Sequence, residues 1–247
     1  MQFMANFKCN HTAHSVQAYF AQFNNYRFSS DFLGQHEIVF FPPALALQAA
    51  VDHAQFEIGA QNAYPTRSGA YTGEIGLEAL ESLHIRTILL GHSERRTLLG
   101  ESQEFIAEKF QYFARHGFRV VYCIGEPLSV REQGESAVQA YLRAQFDGVM
   151  ESMEEILGSS GHNPARVSVA YEPIWAIGTG VSASVADIAS THAFLRTLTC
   201  APLLYGGSVN AINAREILSL PNVNGVLVGS AALDPKSFYD ITQAGAN

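Results

Sequence analysis

Cysteine is scarce. The chain has three, Cys9, Cys123 and Cys200, widely spaced and odd in number, with no CxxC pair and no Cys/His cluster. That argues against a disulfide scaffold and gives no zinc or other metal signature, so a reduced, cytoplasmic protein is expected. Positive charge is scarce as well. Fifteen Lys and Arg face 23 Asp and Glu, a formal net charge of −8, a poor match for nucleic acid or an anionic membrane. An anionic substrate would therefore need a local positive site, made of backbone N–H groups and one or two placed cations. No apolar run is long enough to span a bilayer. The most apolar stretch, Ile38 to Val51, is broken by Pro42-Pro43. Met1 to Lys8 lacks the basic and apolar regions of a secretory signal, so the sequon Asn10-His11-Thr12 reads as incidental.

What the chain does have is apolar content, 47% hydrophobic against 15% charged over 247 residues. That is enough to bury one large core. The length is that of one (βα)₈ barrel, although two smaller domains would also fit. Short apolar runs alternate with longer amphipathic segments. The runs predict strands over Gln2–Phe7, Glu37–Phe41, Phe56–Ala60, Ile85–Leu90, Arg119–Ile124, Val167–Tyr171, Leu203–Tyr205 and Gly225–Val228. Helices are predicted over Ser15–Arg27, Ala44–His53, Leu77–Leu83, Ser102–His116, Ala137–Ile156, Val185–Leu198, Ala214–Leu218 and Lys236–Gln243. Asp187 or Ser184 is the expected cap of the sixth helix, and Pro235 suits a first turn. Eight strand–helix repeats imply a closed parallel (βα)₈ barrel, with an open doubly wound sheet as the runner-up. No linker-like segment divides the chain, so residues 1–247 read as a single domain.

In such a barrel the segments that follow the strands form one rim, and that rim carries the active site. Four constellations fall there. After the sixth strand, Glu172 is followed by Pro173, Ile174, Trp175, Ala176, Ile177, Gly178, Thr179 and Gly180. This is the pattern of a mobile lid with a stiff first hinge and a permissive second one. Most Glu residues are solvated loop acids, but this one ends a strand beside the chain's only Trp. The run Gly178 to Ala183 also fits a loose dinucleotide motif, which is rejected because it does not directly follow a strand and no acid lies about twenty residues on. After the fourth strand comes Gly91-His92-Ser93-Glu94-Arg95-Arg96. A lone His is most often structural. At a helix start, with Ser93 as the expected cap, His92 would be disfavoured in its protonated form and free to donate to a carbonyl. Arg95 and Arg96 read as a solvated or ion-paired face. After the first strand, Asn6-Phe7-Lys8-Cys9-Asn10 places Lys8 as a cation for an oxyanion or phosphate. Finally, Tyr205-Gly206-Gly207-Ser208 and Val228-Gly229-Ser230-Ala231 follow adjacent strands. Small residues there let backbone N–H groups approach a phosphate, a common arrangement in these barrels.

Taken together, these motifs resemble those of the triosephosphate isomerases, in the family's order. With Gln61-Asn62 and Gly69-Ala70-Tyr71-Thr72-Gly73-Glu74 they cover nearly the whole chain. The resemblance implies a cofactor-free interconversion of dihydroxyacetone phosphate and D-glyceraldehyde 3-phosphate. It implies Glu172 as the base, neutral His92 as the electrophile, Lys8 as the stabilising cation, Asn6 as a positioning group and Glu94 as the partner of Lys8. It implies phosphate binding by the N–H groups of Gly178, Ser208, Gly229 and Ser230, with Tyr205 and Ser208 holding the closed lid. It also implies a homodimer through loop 61–76, with Thr72 near the partner's site. Phe7, Cys9, Tyr71 and Ser230 depart from the usual family residues. Ser230 stands where a second Gly is usual, and its N–H stays available if its φ is negative. The competing readings are another phosphosugar-processing barrel enzyme, which would share the phosphate loops without needing Glu172 and His92, and a non-catalytic barrel scaffold, which would have lost them.

Overall fold

The computed structural model describes residues 1–159, 166–177 and 183–245. Eight strands close into one parallel barrel in sequence order: β1 Gln2–Asn6, β2 Glu37–Phe41, β3 Glu57–Ala60, β4 Thr87–Leu90, β5 Arg119–Ile124, β6 Val167–Tyr171, β7 Leu203–Tyr205 and β8 Gly225–Val228. Closure comes from β1 pairing with β8, Gln2 opposite Gly225 and Met4 opposite Leu227. Side chains alternate across a strand. The barrel interior is filled by Met4, Val39, Phe41, Leu89, Val121, Cys123, Ala170, Leu204 and Leu227, all buried. The opposite parity, Phe3, Ala5, Ile38, Phe40, Val120, Tyr122, Val167 and Val169 among others, packs outward against the helices. Strands buried on both faces explain why these runs are continuously apolar.

The same parity positions the polar ends. Gln2 and Asn6 share the inward face of β1 with Met4, while Ser168 and Glu172 continue the inward series of Ala170. At the N-terminal end of the barrel, the Ser168 hydroxyl donates to Gln2 Oε1 at 2.8 Å. At the C-terminal end, Asn6 and Glu172 emerge at the mouth.

The helices are α1 Ala13–Phe23, α2 Ser30–Gln35, α3 Leu47–His53, α4 Leu77–Ser82, α5 Ser93–Thr97, α6 Gln103–Arg115, α7 Leu128–Arg131, α8 Glu135–Ala144, α9 Met150–Ser159, α10 Val185–Leu198, α11 Ala214–Leu218 and α12 Pro235–Ala244. Side-chain caps start many of them. Thr12 and Ser15 form a reciprocal capping box on α1, Ser102 caps α6, Ser184 rather than Asp187 caps α10, and Asp234 caps α12 with Pro235 in its first turn. The single helix expected over 137–156 is two, because the chain turns through Gly148 at φ +72° between α8 and α9. The structure adds three helices of four to six residues, α2, α5 and α7, that the sequence pattern does not predict. Among the described residues no helix is long and apolar enough to cross a membrane.

Candidate active site

The C-terminal mouth holds a cavity of about 260 Å³ whose walls include Asn6, Lys8, His92, Glu172, Ser208, Gly229 and Ser230. The structure thus brings together residues from β1, β4, β6, β7 and β8 that are up to 224 positions apart in the chain.

Lys8 sits just past β1 with φ +51°, a left-handed backbone that a non-glycine residue rarely adopts. Its surroundings over-determine that conformation. The Lys8 N–H donates to Asn6 Oδ1 at 2.9 Å, and the Lys8 carbonyl accepts from Gln61 Nε2 at 2.8 Å. The same Gln61 amide donates to the Phe41 carbonyl at 2.8 Å, tying three strand ends together. The ammonium lies 2.6 Å from Glu94 Oε1.

His92 is itself the N-cap of α5, the place expected for Ser93, which is instead the first helical residue. The Glu94 N–H donates to His92 Nδ1 at 3.2 Å. A nitrogen that accepts carries no proton, so the ring proton belongs on Nε2. Nε2 lies 3.1 Å from Glu172 Oε1. The other oxygen of Glu172 accepts the Ser93 N–H at 2.9 Å. Glu172 is buried at 1% exposure, its main chain tied to β5 by Glu172 N–H to the Ile124 carbonyl at 2.7 Å. Below it lies Cys123, whose thiol pKa is pushed well up by burial and by the Glu172 charge. Cys123 therefore stays a neutral thiol.

Tyr205 is fully buried, and burial pushes its hydroxyl pKa up to about 12. A Cβ on Gly207 would collide with that hydroxyl, and one on Gly206 would lie 2.9 Å from Glu172 Cγ. The glycine pair is thus needed to pack this corner. Ser208 Oγ donates to the Ala176 carbonyl at 2.7 Å, joining the loop after β7 to the short 3₁₀ turn Ile174–Ala176. Ser230 lines the cavity and does not have a positive φ, so a side chain at this position brings no backbone strain. Gly178, Thr179 and Gly180 lie outside the described residues. Loop 61–76 has no regular secondary structure, and Thr72 in it is exposed. A cleft of about 240 Å³ beside that loop is lined by Pro42, Ala44, Leu47, Gly73 and Arg95 among others.

Beside the site, no sequence motif marks Glu126, and the structure gives Arg96 a different place from the one its sequence suggests. Glu126, just past β5, is fully buried, and its Oε1 accepts from Trp175 Nε1 and Tyr171 Oη, each at 3.0 Å. Burial raises its pKa against the lowering effect of these donors. Its position after a strand end was the available signal. Arg96 is not a solvated residue. Its guanidinium donates to the Gly91 carbonyl at 2.7 Å, Gln103 Oε1 at 2.8 Å, and Tyr122 Oη and the Cys123 carbonyl at 3.2 Å each. It thereby fixes the ends of β4 and β5. Arg95 does pair, with Glu101 at 2.6 Å, and Glu101 also meets the buried Lys109 at 2.5 Å.

This geometry agrees with comparison to known proteins. The family model described as triosephosphate isomerase matches residues 1–245. The chain is 51% identical to the triosephosphate isomerase of Sulfurovum sp. (strain NBC37-1) over 240 residues, 96% of this chain and 97% of that one. It is 49% identical to that of Wolinella succinogenes over 239 residues, 97% of each chain, and 47% identical to that of Helicobacter hepaticus over 239 residues, again 97% of each. With a closed eight-stranded barrel, a buried carboxylate and an imidazole meeting at its mouth, and relatives matched along nearly their full length, the chain belongs to the triosephosphate isomerase family.

Proposed function

We propose that Glu172, His92 and Lys8 carry out the family's reaction, with Asn6 and Glu94 positioning them. The chain is an isomerase that interconverts dihydroxyacetone phosphate and D-glyceraldehyde 3-phosphate. The observation that carries the assignment of residues is the 3.1 Å approach of His92 Nε2 to Glu172 Oε1 beside the Lys8 ammonium. The Glu172 carboxylate takes the proton from the hydroxymethyl carbon of the ketose. The electron pair flows to the carbonyl oxygen, where His92 Nε2–H and Lys8 Nζ stabilise the enediolate. A proton moves between the two oxygens, and Glu172 returns its proton to the neighbouring carbon. A base and electrophile of this kind need no cofactor. The Nε2–H of a neutral imidazole suits the task, since it hydrogen-bonds the carbonyl oxygen as negative charge develops there.

The N–H groups of Ser208, Gly229 and Ser230 hold the phosphate, with Gly178 completing the site from the lid (Pro173 to Gly180). Tyr205 and Ser208 anchor that lid. Residues 1–247 act as one domain, a reading supported by the closing of strands from both ends of the chain into one sheet. The protein works as a homodimer through loop 61–76, in the cytoplasm, with neither nucleic acid nor membrane as partner. The net charge of −8 supports that last reading. The test is a coupled dehydrogenase assay with each triose phosphate, run on the unaltered protein and on Glu172→Asp. Shortening the side chain draws the carboxylate back by about 1.5 Å, so turnover falls on the order of 10²-fold. Full turnover by the Asp variant overturns the assignment of the base.

A further inference from the structure

Arg131, the last residue of α7, touches neither the cavity nor any group used in proton transfer. Its side chain is nonetheless 81% shielded from solvent, being 19% exposed, and it meets three partners. Its Nη2 lies 2.5 Å from Asp187 Oδ1. Its Nη1 lies 3.7 Å from Glu126 Oε1. The guanidinium carbon stands 5.5 Å from the centre of the Trp175 ring. These partners sit at opposite ends of one segment. Trp175 is in the first turn of the lid, held from below by Glu126. Asp187 is in the first turn of α10, where its other oxygen accepts the Ser184 hydroxyl at 2.6 Å and its N–H donates to Ser184 Oγ at 3.1 Å.

We propose that Arg131 is a positioning residue for isomerisation: by holding its charge over the Trp175 ring while pairing with Asp187, it ties the turn Ile174–Ala176, which follows Glu172, to α10 and so fixes that turn beside the carboxylate. The inference rests on the functional reading above, since only a lid that closes over a phosphorylated substrate has work for such a tie. The chemistry fits arginine alone. A planar guanidinium can lie against an indole and still present edge N–H groups to two carboxylates, whereas an ammonium is a point donor. An isolated surface ion pair would matter little. Here the arginine end is shielded and shared with a ring, and the pair joins two segments of the chain.

The test uses Arg131→Met, Asp187→Asn and their combination, all in the full-length protein. Two substrates are compared: dihydroxyacetone phosphate, which the lid grips through its phosphate, and D-glyceraldehyde, which has no phosphate to grip. Remote binding energy of this kind is spent on positioning the reacting centre. Arg131→Met is expected to lower kcat/KM for the triose phosphate roughly tenfold, with turnover of D-glyceraldehyde unchanged. Asp187→Asn is expected to give a smaller loss, and the double variant to be no worse than Arg131→Met, because the two residues act through one contact. Trp175 is the only indole, so its emission reads the lid's first turn directly. Asp187→Asn, a substitution at a side chain 42% exposed and so well tolerated by the fold, is expected to shift that emission through Arg131. Unchanged kcat/KM and unchanged emission in both single variants overturn the proposal, and so does an equal loss for both substrates, the mark of general damage. An unaltered protein inactive on triose phosphates would instead overturn the functional reading, and the emission of Asp187→Asn would still decide whether the tie exists.

Discussion

Gly125 and Glu172 pack so closely that a Cβ on residue 125 would overlap the carbonyl oxygen of Glu172. The contact lies where β5 and β6 end side by side, with Glu172 N–H bonded to the Ile124 carbonyl at 2.7 Å. Glycine here is a condition for bringing Glu172 to the mouth of the barrel. Gly125→Ala is therefore expected to push the β6 terminus outward. Overpacking of this kind costs about 1–3 kcal/mol, and a base displaced by near an ångström loses on the order of 10²-fold in turnover. Urea unfolding and steady-state kinetics measure the two effects. A variant with native turnover would show that the strand ends separate without moving Glu172.

The imidazole of His92 makes a second expectation possible. Because Nδ1 accepts from the Glu94 N–H at 3.2 Å, protonating Nδ1 would turn an acceptor against a donor. Nitrogen NMR of labelled histidine is expected to find the ring proton of His92 on Nε2. A proton found on Nδ1 instead would leave Nε2 with nothing to donate to an enediolate.

How much of this could be read without coordinates depends on whether the determining contact is local. β5 to β8 begin and end where the apolar runs do, since in a barrel every strand is buried on both faces and the run stops where burial stops. The mouth residues were legible for the same reason, as each follows a strand end. The break between α8 and α9 was not. One Gly inside an amphipathic pattern is often tolerated, and only the φ of +72° at Gly148 makes it a turn. The sequence reads Arg96 as part of a solvated or ion-paired face, because its carbonyl partners come from Gly91 and Cys123, and no pattern in a sequence marks a carbonyl that lacks a donor. Glu126 and Arg131 owe their roles to Trp175, more than forty residues away. The capping of α5 by His92 rather than Ser93 turns on a backbone angle at His92 that local composition does not reveal.

His192 supplies a stability test that is independent of catalysis. It is fully buried on α10, with Nδ1 3.2 Å from the Asn222 carbonyl. Burial is the main cause that lowers its pKa from 6.5 to about 4. Between those values the unfolded chain holds a proton on this imidazole that the folded chain does not. Stability is therefore complete above pH 6.5 and is lost as the pH falls towards 4, by up to about 3 kcal/mol. His192→Phe removes this proton uptake. It leaves the Asn222 carbonyl without its partner, at a cost of about 1 kcal/mol at neutral pH. The urea midpoint of the variant is expected to decline less steeply on acidification than that of the unaltered protein. Parallel declines would mean that His192 is not the group responsible.

Assembly is tested at loop 61–76. Beside the cleft lined by Ala44, Leu47, Gly73 and Arg95, the neighbouring side chains Leu45, Leu98 and Leu99 stand 94%, 76% and 64% exposed, and Tyr71 44%. Exposed apolar side chains of this size are what the proposed homodimer would cover. A charge placed in that loop would have to be buried unpaired, so Thr72→Arg is expected to give a weakly active monomer. Sedimentation of both proteins is the measurement. Unaltered protein found monomeric at micromolar concentration overturns the dimer.

The lid makes the last expectation, and it concerns what the enzyme prevents. The enediolate carries a phosphate on the carbon next to its reacting centre. In water such an intermediate can expel phosphate and yield methylglyoxal. That elimination requires the bridging C–O bond to align with the π-system of the enediolate. A lid that holds the phosphate keeps the bond out of alignment. Closure also excludes water and strengthens the contacts of Lys8 and His92 to the oxyanion. The described part of the lid is anchored twice, by Trp175 Nε1 on Glu126 at 3.0 Å and by the Ala176 carbonyl on Ser208 Oγ at 2.7 Å. Removing Ile174 to Ile177 and rejoining the ends deletes both anchors while leaving Glu172, His92 and Lys8 in place. Two separate effects are expected: slower isomerisation, and a larger share of turnover ending in phosphate loss. The informative quantity is the ratio of methylglyoxal to triose product formed from the enzyme-bound intermediate. A shortened enzyme that is slower but keeps the original ratio would mean that the lid serves binding and positioning alone, and that alignment of the C–O bond is controlled by the phosphate loops after β7 and β8.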